Sequence, residues 1–351
     1  MSKKITSLEK CIQELSHKYP IVSYDLYEGI KLAFMSLTGN KHTDTHEPLR
    51  NILEINYCHK GRIGWKMSNG NSVYLGEHDF SLHTMEYCSN STITLPNEYY
   101  EGISIYIDLN TLSEEPPELL KNTGITGNSI LDKFCKDGNF SAFIGNEETD
   151  AIFSSFYHQP KEFQLAYWQI KVIELLLYLS KLSFDTEKRL SEYQSEQIEI
   201  VRNIHKYLLD NISQRITIDE TARKYLINPT TLKSVFKAVY GTSIASHIKE
   251  HRMKMATHLL MKTTKSIKEI AKEVGYESQS KFSKAFKEYY DVLPTEATHW
   301  MKISRTIWTL LRALSAVSLR WSRDMKQVSV QSVSYPRYFP VSRILKQSLI
   351  G

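Results

Sequence analysis

The sequence predicts an α+β protein of several domains, with an antiparallel β barrel or sandwich first and an all-α tandem helix-turn-helix domain after it. Short apolar runs broken by turn residues lie between residues 48 and 110, and two copies of a helix-turn-helix pattern lie between 217 and 287. Charge is divided as well. Residues 1–194 carry 18 Lys and Arg against 26 Asp and Glu, residues 195–300 carry 17 against 12, and residues 301–351 carry 9 against 1. Local positive charge of this kind favours phosphate binding.

The N-terminal half carries the strand signals. Its apolar runs are four to seven residues long, and Asn69-Gly70-Asn71 separates two of them in the manner of a hairpin turn. The predicted strands are 52–57, 61–67, 72–75, 79–82, 92–95 and 102–108.

A long apolar helix is predicted over residues 162–182. Lys171 and Glu174 in its middle argue against a membrane span. Apolar residues occur on more than one of its faces, so we expect one face to pack on the β module and another to pair with a second chain as a homodimer. Polar residues 183–194 are predicted to be a linker.

The second helix-turn-helix copy is the stronger local signal. Ser266 and Glu269 form a capping box pattern, and Gly275 is placed for the left-handed turn between the helices. The first helix is expected to bury Ile267, Ile270, Ala271 and Val274, and the second Phe282, Ala285 and Phe286. The opposite side of the second helix then carries Gln279, Ser280, Ser283, Lys284 and Lys287.

The first copy repeats this pattern upstream. Thr217 and Glu220 form its capping box, but its turn has no glycine and uses Asn228-Pro229 ahead of the second helix. A helix over 244–260 is predicted between the copies, with a stripe of Ile248, Arg252, Met255, Ala256, Leu259 and Leu260. Its length of about 25 Å suits two recognition helices about 34 Å apart, the separation of successive major-groove faces.

These residues resemble a known family. Residues 195–300 are similar to the tandem helix-turn-helix DNA-binding domain of the AraC/XylS transcriptional regulators. The matching positions are 267–271, 274–282, 286–287 and Pro294, with 236–241, Ser243, Arg252 and Ala256 upstream. The resemblance implies a bent monomeric reader of two adjacent major-groove segments of double-stranded DNA, usually an activator that contacts RNA polymerase. A looser resemblance, through 53–61 and 74–82, implies a cupin-like β barrel as the sensor module, and dimerisation through the helices that follow it.

By motif position, the resemblance places DNA contacts at Thr230, Lys233 and Ser234 in the first recognition helix, and at Gln279, Ser280 and Lys284 in the second. Gln279 can pair with adenine, whereas a phosphate contact or a solvated side chain is the alternative. Lysines can reach guanine or phosphate. The first helix has few large polar donors, so the second is expected to carry more of the specificity.

Histidines and cysteines give no pattern for a metal or another cofactor, and none is predicted. The histidines considered, namely His42, His46, His59, His78 and His83, lack the H-x-H and Glu arrangement of cupin metal sites, and solvated or hydrogen-bonded side chains are favoured. Scattered cysteines Cys11, Cys58, Cys88 and Cys135 are expected to be buried thiols in a reducing cytoplasm. Four aromatic residues, Tyr57, Trp65, Tyr74 and Tyr106, are equally compatible with a ligand cavity and with ordinary core.

The predicted domains are a cupin-like sensor module over 1–150, a helix and linker over 151–194, the DNA-binding domain over 195–300 and a basic tail over 301–351. The function expected is a sequence-specific DNA-binding transcription regulator, an activator that responds to a small-molecule effector, and not an enzyme. Two alternatives remain: a ligand-independent architectural or dimerising DNA binder, and a cupin-type enzyme fused to a DNA-binding domain. The tail is compatible with a basic arm, a docking helix or no selected role.

Overall fold

A computed structural model describes residues 7–67, 70–136, 140–183, 190 and 193–299. The predicted basic tail therefore lies outside the described residues. Chain contacts define two compact units: residues up to 202 with 230–243 form the first, and residues 203–229 with the described residues from 244 onward form the second.

The first unit holds the β structure, which is antiparallel in every pairing of the described strands. Its strands are β1 Ile21–Tyr27, β2 Ile30–Thr38, β3 Lys41–Thr45, β4 Ile52–Gly61, β5 Ile63–Lys66, β6 Asn71–Leu75, β7 Phe80–Thr84, β8 Asn90–Thr94, β9 Tyr99–Asp108, β10 Ser141–Phe143 and β11 Tyr193–Gln194. One sheet has the order β1-β2-β9-β4-β7-β10, and the other has the order β11-β6-β5-β8-β3.

All six predicted strands are confirmed, whereas β1 to β3 and the short β10 and β11 were missed. Strand β1 lies at a sheet edge and exposes most of its residues, so it carries no alternation of apolar and polar positions. The last two residues of the predicted linker form β11, which pairs with β6.

The middle of the six-stranded sheet is buried on both faces, and strand β4 shows this most clearly. Leu53, Ile55 and Tyr57 join the core cluster that also contains α5, whereas Ile52 and Cys58 join the cluster that also contains Trp65 and Val73 of the five-stranded sheet. Residues of β4 alternate between these cores because successive side chains of a strand point to opposite faces. Glu54 and Asn56 therefore lie on the same side as Ile52 and Cys58, towards the space between the sheets.

Helices of the first unit are α1 Ser7–Lys18, α2 Leu109–Glu114, α3 Gly127–Phe134, α4 Glu147–Ser154 and α5 Gln164–Lys181. Helix α5 confirms the predicted long apolar helix and buries Trp168, Val172 and Leu176 against the first core. It leaves other apolar side chains exposed, among them Tyr167 and Ile170. Among the described residues, no helix combines the length and apolar character that a bilayer crossing needs.

The helices that follow are α6 Ser195–Asp210, α7 Ile218–Lys224, α8 Pro229–Tyr240, α9 Ile244–Lys262, α10 Ile267–Glu273 and α11 Gln279–Tyr290. Helix α8 lies within the first unit from Thr230 onward, and α7, α9, α10 and α11 lie within the second. The core of the second unit includes Ala256, Leu260, Ile270, Ala271, Val274, Phe282 and Phe286.

Most of the predicted buried stripes are confirmed, with corrections at their edges. Ile267 and Ala285 are half-buried, as are Ile248, Arg252 and Met255 of α9. Helix α9 instead buries His247, Met253 and Thr257 beside the predicted Ala256, Leu259 and Leu260. The α9 prediction followed a single stripe, and a helix packed on more than one side buries residues outside it.

Candidate nucleic-acid interface

The start of α10 is fixed by the predicted capping box. Ser266 Oγ accepts a hydrogen bond from the Glu269 amide at 3.3 Å, and Glu269 Oε2 accepts one from the Ser266 amide at 2.7 Å. Hydrogen bonds from the backbone and hydroxyl of Ser266 hold the pKa of the Glu269 carboxyl below its usual value. Both orphan donors of the first turn are thus satisfied, which holds the entry to the motif in place.

Gly275 makes the turn between α10 and α11 with a φ of +83°, as predicted. A Cβ atom added there would lie 2.7 Å from the carbonyl oxygen of Ile212 and 2.7 Å from Nη2 of Arg252. The turn therefore requires glycine both for its backbone conformation and for its close packing.

Helix α11 presents the predicted face. The Ser278 hydroxyl caps the helix by accepting from the Lys281 amide at 3.3 Å. Gln279, Ser280 and Lys284 are exposed, on the side opposite the buried Phe282. Within the described part of the chain, their side chains form no ion pair or hydrogen bond. These three side chains are therefore available to bind another molecule.

The turn between α7 and α8 has the same backbone without glycine. Leu226, four residues after Ala222 as Gly275 is four after Ala271, has a φ of +53° and is 93% exposed. The Ile227 amide donates to the Ala222 carbonyl at 3.0 Å, as the Tyr276 amide does to the Ala271 carbonyl at 2.8 Å. The predicted Thr217 capping box and the placement of Pro229 at the first position of α8 are both confirmed.

Helix α8 exposes Thr230, Lys233 and Ser234. The Ser234 hydroxyl donates within the helix to the Thr231 carbonyl at 3.0 Å. Lys237 is also exposed and lies seven residues after Thr230, four after Lys233 and three after Ser234. These spacings put the four residues on one helical face. Contact of this face with DNA stays a prediction.

The structure adds basic residues that were not among the predicted contacts. Lys237 on α8 and Lys287 on α11 extend the exposed faces by one turn. The sequence had already placed Lys287 on the exposed face of its helix, and the same three- and four-residue spacing would have added Lys237. Lys281 differs, because its ammonium group pairs with the Glu277 carboxylate, whose pKa this pairing lowers.

Three histidines meet inside the second unit. His247 Nε2 lies 2.9 Å from His205 Nε2 and 3.1 Å from His251 Nε2. Burial, followed by the nearby His251, lowers the pKa of both His205 and His247 to about 4. These three side chains, here called the histidine cluster, have ligand atoms close enough together to hold a metal ion.

The first unit contains a groove of about 470 Å³. Its lining includes the cations Lys41, Lys66 and Arg202 and the hydroxyl groups of Thr92 and Thr94. The Arg202 guanidinium also donates to Tyr74 Oη at 3.0 Å. Volumes of this order are typical of small-molecule sites, which occupy about 300–1,000 Å³.

The sequence left four aromatic residues compatible with either a ligand cavity or ordinary core, and the structure places them in different surroundings. Trp65 and Tyr106 line a second cavity of about 20 Å³ inside the first unit. Tyr57 stacks on Phe153 with ring centroids 4.4 Å apart, and Tyr74 hydrogen-bonds Arg202. Tyr57 is thus a core residue.

Comparisons with known proteins also identify a helix-turn-helix domain in this chain. Residues 221–299 match a family model described as a helix-turn-helix domain. The lactose operon transcription activator of Staphylococcus xylosus is 27% identical over 38% of this chain and 49% of its own length. The chain thus spans about half the length of that relative. VirF of Yersinia enterocolitica, a virulence regulon transcriptional activator, is 29% identical over 68% of this chain and 86% of its own.

A shorter relative matches less of this chain. The regulatory protein SoxS of Salmonella typhimurium is 28% identical over 29% of this chain and 94% of its own length. A solved structure of ToxT from Vibrio cholerae aligns with 78% of this chain and 98% of its own at 14% identity, with a TM-score of 0.30.

Proposed function

The chain belongs to the AraC/XylS family of transcription regulators, and we propose that the exposed faces of α8 and α11 each contact a major-groove segment of one double-stranded DNA site. The observation that carries the proposal is the face of α11. Gln279, Ser280 and Lys284 are exposed, and the helix that carries them is capped by Ser278 and anchored by buried Phe282. Rigid helices with polar N-terminal residues suit base recognition.

The residues divide into roles by their chemistry. Gln279 lies at the first position of α11, where its amide can both donate to and accept from the edge of adenine. Lys284 and Lys287 are placed to neutralise phosphates, as Lys233 and Lys237 are on α8. The first recognition face offers hydroxyls and lysines alone, so we assign most of the base specificity to α11.

Activation is the proposed sign of regulation. Two relatives carry the word activator in their names, the lactose operon activator of Staphylococcus xylosus and VirF of Yersinia enterocolitica. An activator bound beside a promoter would contact RNA polymerase, which is the proposed protein partner.

The proposed effector is a small anionic molecule that binds the groove of the first unit. Lys41, Lys66 and Arg202 place three cations around the groove, and Glu196 and Glu199 line it as well. Arg202 Nη1 pairs with Glu199 Oε2 at 3.6 Å, so the two lysines are the cations of the groove without an ion pair among the described residues. Cations and hydroxyl groups together suit a carboxylate or a phosphate ester. The cavity of about 20 Å³ is too small for any organic effector.

A homodimer through α5 is proposed for the full chain. Phe163, Tyr167, Ile170 and Leu177 are exposed apolar residues spaced by four, three and seven positions, so they form one stripe along the helix. A second copy of the same stripe would cover it.

The test is selection of bound fragments from a random double-stranded DNA pool by the full chain, followed by affinity measurements on the selected site. The proposal expects two half-sites in successive major grooves and weaker binding by Gln279→Ala. Enrichment of no sequence would contradict specific recognition and favour an architectural DNA binder.

The effector proposal is tested by the melting temperature of the protein in the presence of small carboxylates and phosphate esters, because a ligand of the native state must raise that temperature. In the Lys66→Ala variant, which removes one cation of the groove, the rise in melting temperature should be smaller.

A further inference from the structure

Four buried side chains with metal-ligating atoms meet in the space between the two sheets of the first unit. Glu54 of β4 and His83 of β7 are direct cross-strand partners, and Cys88 and His46 lie in the segments after β7 and β3. Their exposed fractions are 9% for Glu54, 0% for His83, 4% for Cys88 and 7% for His46. Burying so many ionisable groups together is costly unless something compensates them.

The distances between their ligand atoms are those of a metal site. His83 Nε2 lies 3.3 Å from Glu54 Oε2, and Cys88 Sγ lies 3.7 Å from Glu54 Oε2 and 3.4 Å from His46 Nε2. Ligands at about 2.1 Å (N or O) and about 2.3 Å (S) from a tetrahedral zinc ion are separated by about 3.4–3.6 Å. The three measured distances are near this spacing, and the ligand atoms of Glu54, His83 and Cys88 all lie within 4.8 Å of one another.

His83 is a fully buried imidazole without a hydrogen bond at either ring nitrogen in the described part of the chain. Its Nε2 lies 3.3 Å from Glu54 Oε2, as an ion pair and not as a hydrogen bond. Stacking on Phe140, with ring centroids 5.1 Å apart, holds the ring in this orientation. A metal ion could bind Nε2, whose contact within the described residues is the ion pair with Glu54.

His46 is oriented in the way that metal-bound histidines are. Its Nδ1 lies 2.8 Å from the Glu47 carbonyl oxygen, to which it donates when protonated there. That tautomer leaves a lone pair on Nε2, the atom that faces Cys88. Burial opposes ionisation of Glu54, but His83 and His46 together hold its pKa below its usual value.

The space beside these groups fits an ion. A cavity of about 20 Å³ is lined by His46, Glu54 and Cys88 together with apolar and aromatic side chains. One water molecule needs a cavity of about 10–15 Å³, so this cavity admits a single ion or water and nothing larger.

We propose that Glu54, His83 and Cys88 bind one divalent ion of the zinc class inside the N-terminal module, with His46 as the fourth ligand. A set of thiolate, imidazole and carboxylate ligands selects zinc-like ions over calcium and magnesium, which prefer oxygen alone. Binding forms the metal–sulfur bond and releases the thiol proton of Cys88 to solvent. The inference does not depend on DNA recognition, and its test uses no DNA.

The probe is Co²⁺, added to the metal-free full chain under reducing conditions, because its spectrum reports sulfur ligation and tetrahedral geometry. The expected result is a thiolate-to-cobalt charge-transfer band that saturates at one equivalent and disappears when Zn²⁺ is added. Absence of the band, or a band that survives in Cys88→Ser, overturns the proposal.

Two control variants separate this site from other groups. Cys11→Ser removes another buried thiol and should keep the band, whereas its loss there would overturn the assignment to Cys88. His251→Ala disrupts the histidine cluster, the other set of metal-ligating side chains in the described chain. It should also keep the band, because that cluster contains no sulfur.

A second variant guards against misfolding of Cys88→Ser. Glu54→Gln keeps the size of the side chain, and its Zn²⁺ affinity, measured by competition with a chromophoric chelator, should fall by at least about tenfold. Circular dichroism must show the fold of the unaltered chain. Unchanged affinity in a folded Glu54→Gln protein would overturn the role of Glu54 as a ligand and, with it, the proposed site.

Discussion

Arg252 on α9 donates a hydrogen bond from Nε to the backbone carbonyl of Ile212, 3.0 Å away. Its Nη2 donates to the Gln214 carbonyl at 2.9 Å. One guanidinium thus satisfies two carbonyls of the loop between α6 and α7, and its partial burial lowers the pKa of Arg252. The loop is tied to the long helix at the point where the Gly275 turn also packs.

Arg252→Lys should destabilise the protein by about 1–3 kcal/mol, because hydrogen bonds to charged groups are lost and an ammonium cannot reproduce the planar fork. Urea unfolding of the full chain, followed by helical circular dichroism, measures the change. Lys254→Ala on the same helix is the matched control. It removes an exposed pair with Glu250 and should change stability by less than about 0.5 kcal/mol.

Gly275→Ala should cost about 2 kcal/mol or more. The left-handed backbone costs roughly 1–2 kcal/mol with a Cβ, and the added atom collides with the Ile212 carbonyl. Thermal unfolding would show the effect. A melting temperature equal to that of the unaltered chain would mean that the turn relaxes without cost.

Leu226→Gly should stabilise the protein, in contrast to Gly275→Ala. Leucine at a φ of +53° is strained, and its exposed side chain buries nothing that glycine would lose. Relief of about 1–2 kcal/mol outweighs the added entropy of the unfolded glycine chain, about 0.5–1 kcal/mol. The net gain, roughly 0–1.5 kcal/mol, is measurable by denaturant unfolding, and a loss of stability would contradict the strain argument.

Gln279→Ala should weaken binding to the selected DNA site by about 1–3 kcal/mol, with the loss confined to one base position. Gel-shift titrations against every single-base variant of the site provide the measurement. Lys284→Ala should instead weaken all sequences similarly and reduce the slope of log affinity against log salt by about 1. An equal loss for Gln279→Ala on cognate and scrambled DNA would exclude base recognition.

Acid should destabilise the second unit before its carboxylates titrate. His205 and His247 have pKa values of about 4 in the folded chain, against about 6.5 when unfolded. The folded state therefore binds fewer protons, so stability is complete above about pH 6.5 and falls as the pH is lowered towards 4. Melting temperatures between pH 7.5 and about 5 test this, and His247→Gln should flatten the dependence.

Local features of this chain could be predicted from the sequence, because the atoms that decide them are close along the chain. The Ser266 and Thr217 capping boxes, the Gly275 turn and the exposed Gln279 face all follow from spacings of three or four residues. Leu226 could not be predicted as left-handed, since leucine disfavours that conformation and only the surrounding fold imposes it.

The buried cluster was equally invisible in the sequence. Glu54 and His83 meet through strand pairing across 29 positions, and His46 and Cys88 come from segments outside the core strands. Sequence reasoning weighed His46 and His83 among the histidines, but it looked for ligands on neighbouring positions. Nothing in the spacing marked Glu54 or Cys88.

The alternation along β4 means that a single strand register fixes both its core side chains and its buried polar side chains. Leu53, Ile55 and Tyr57 hold one core, and Glu54 and Asn56, interleaved with them, face the other side. A shift of a single residue in the pairing with β7 would carry every one of these side chains through the sheet. The chain therefore cannot misalign the buried cluster and keep its core, so any folded molecule has Glu54 opposite His83.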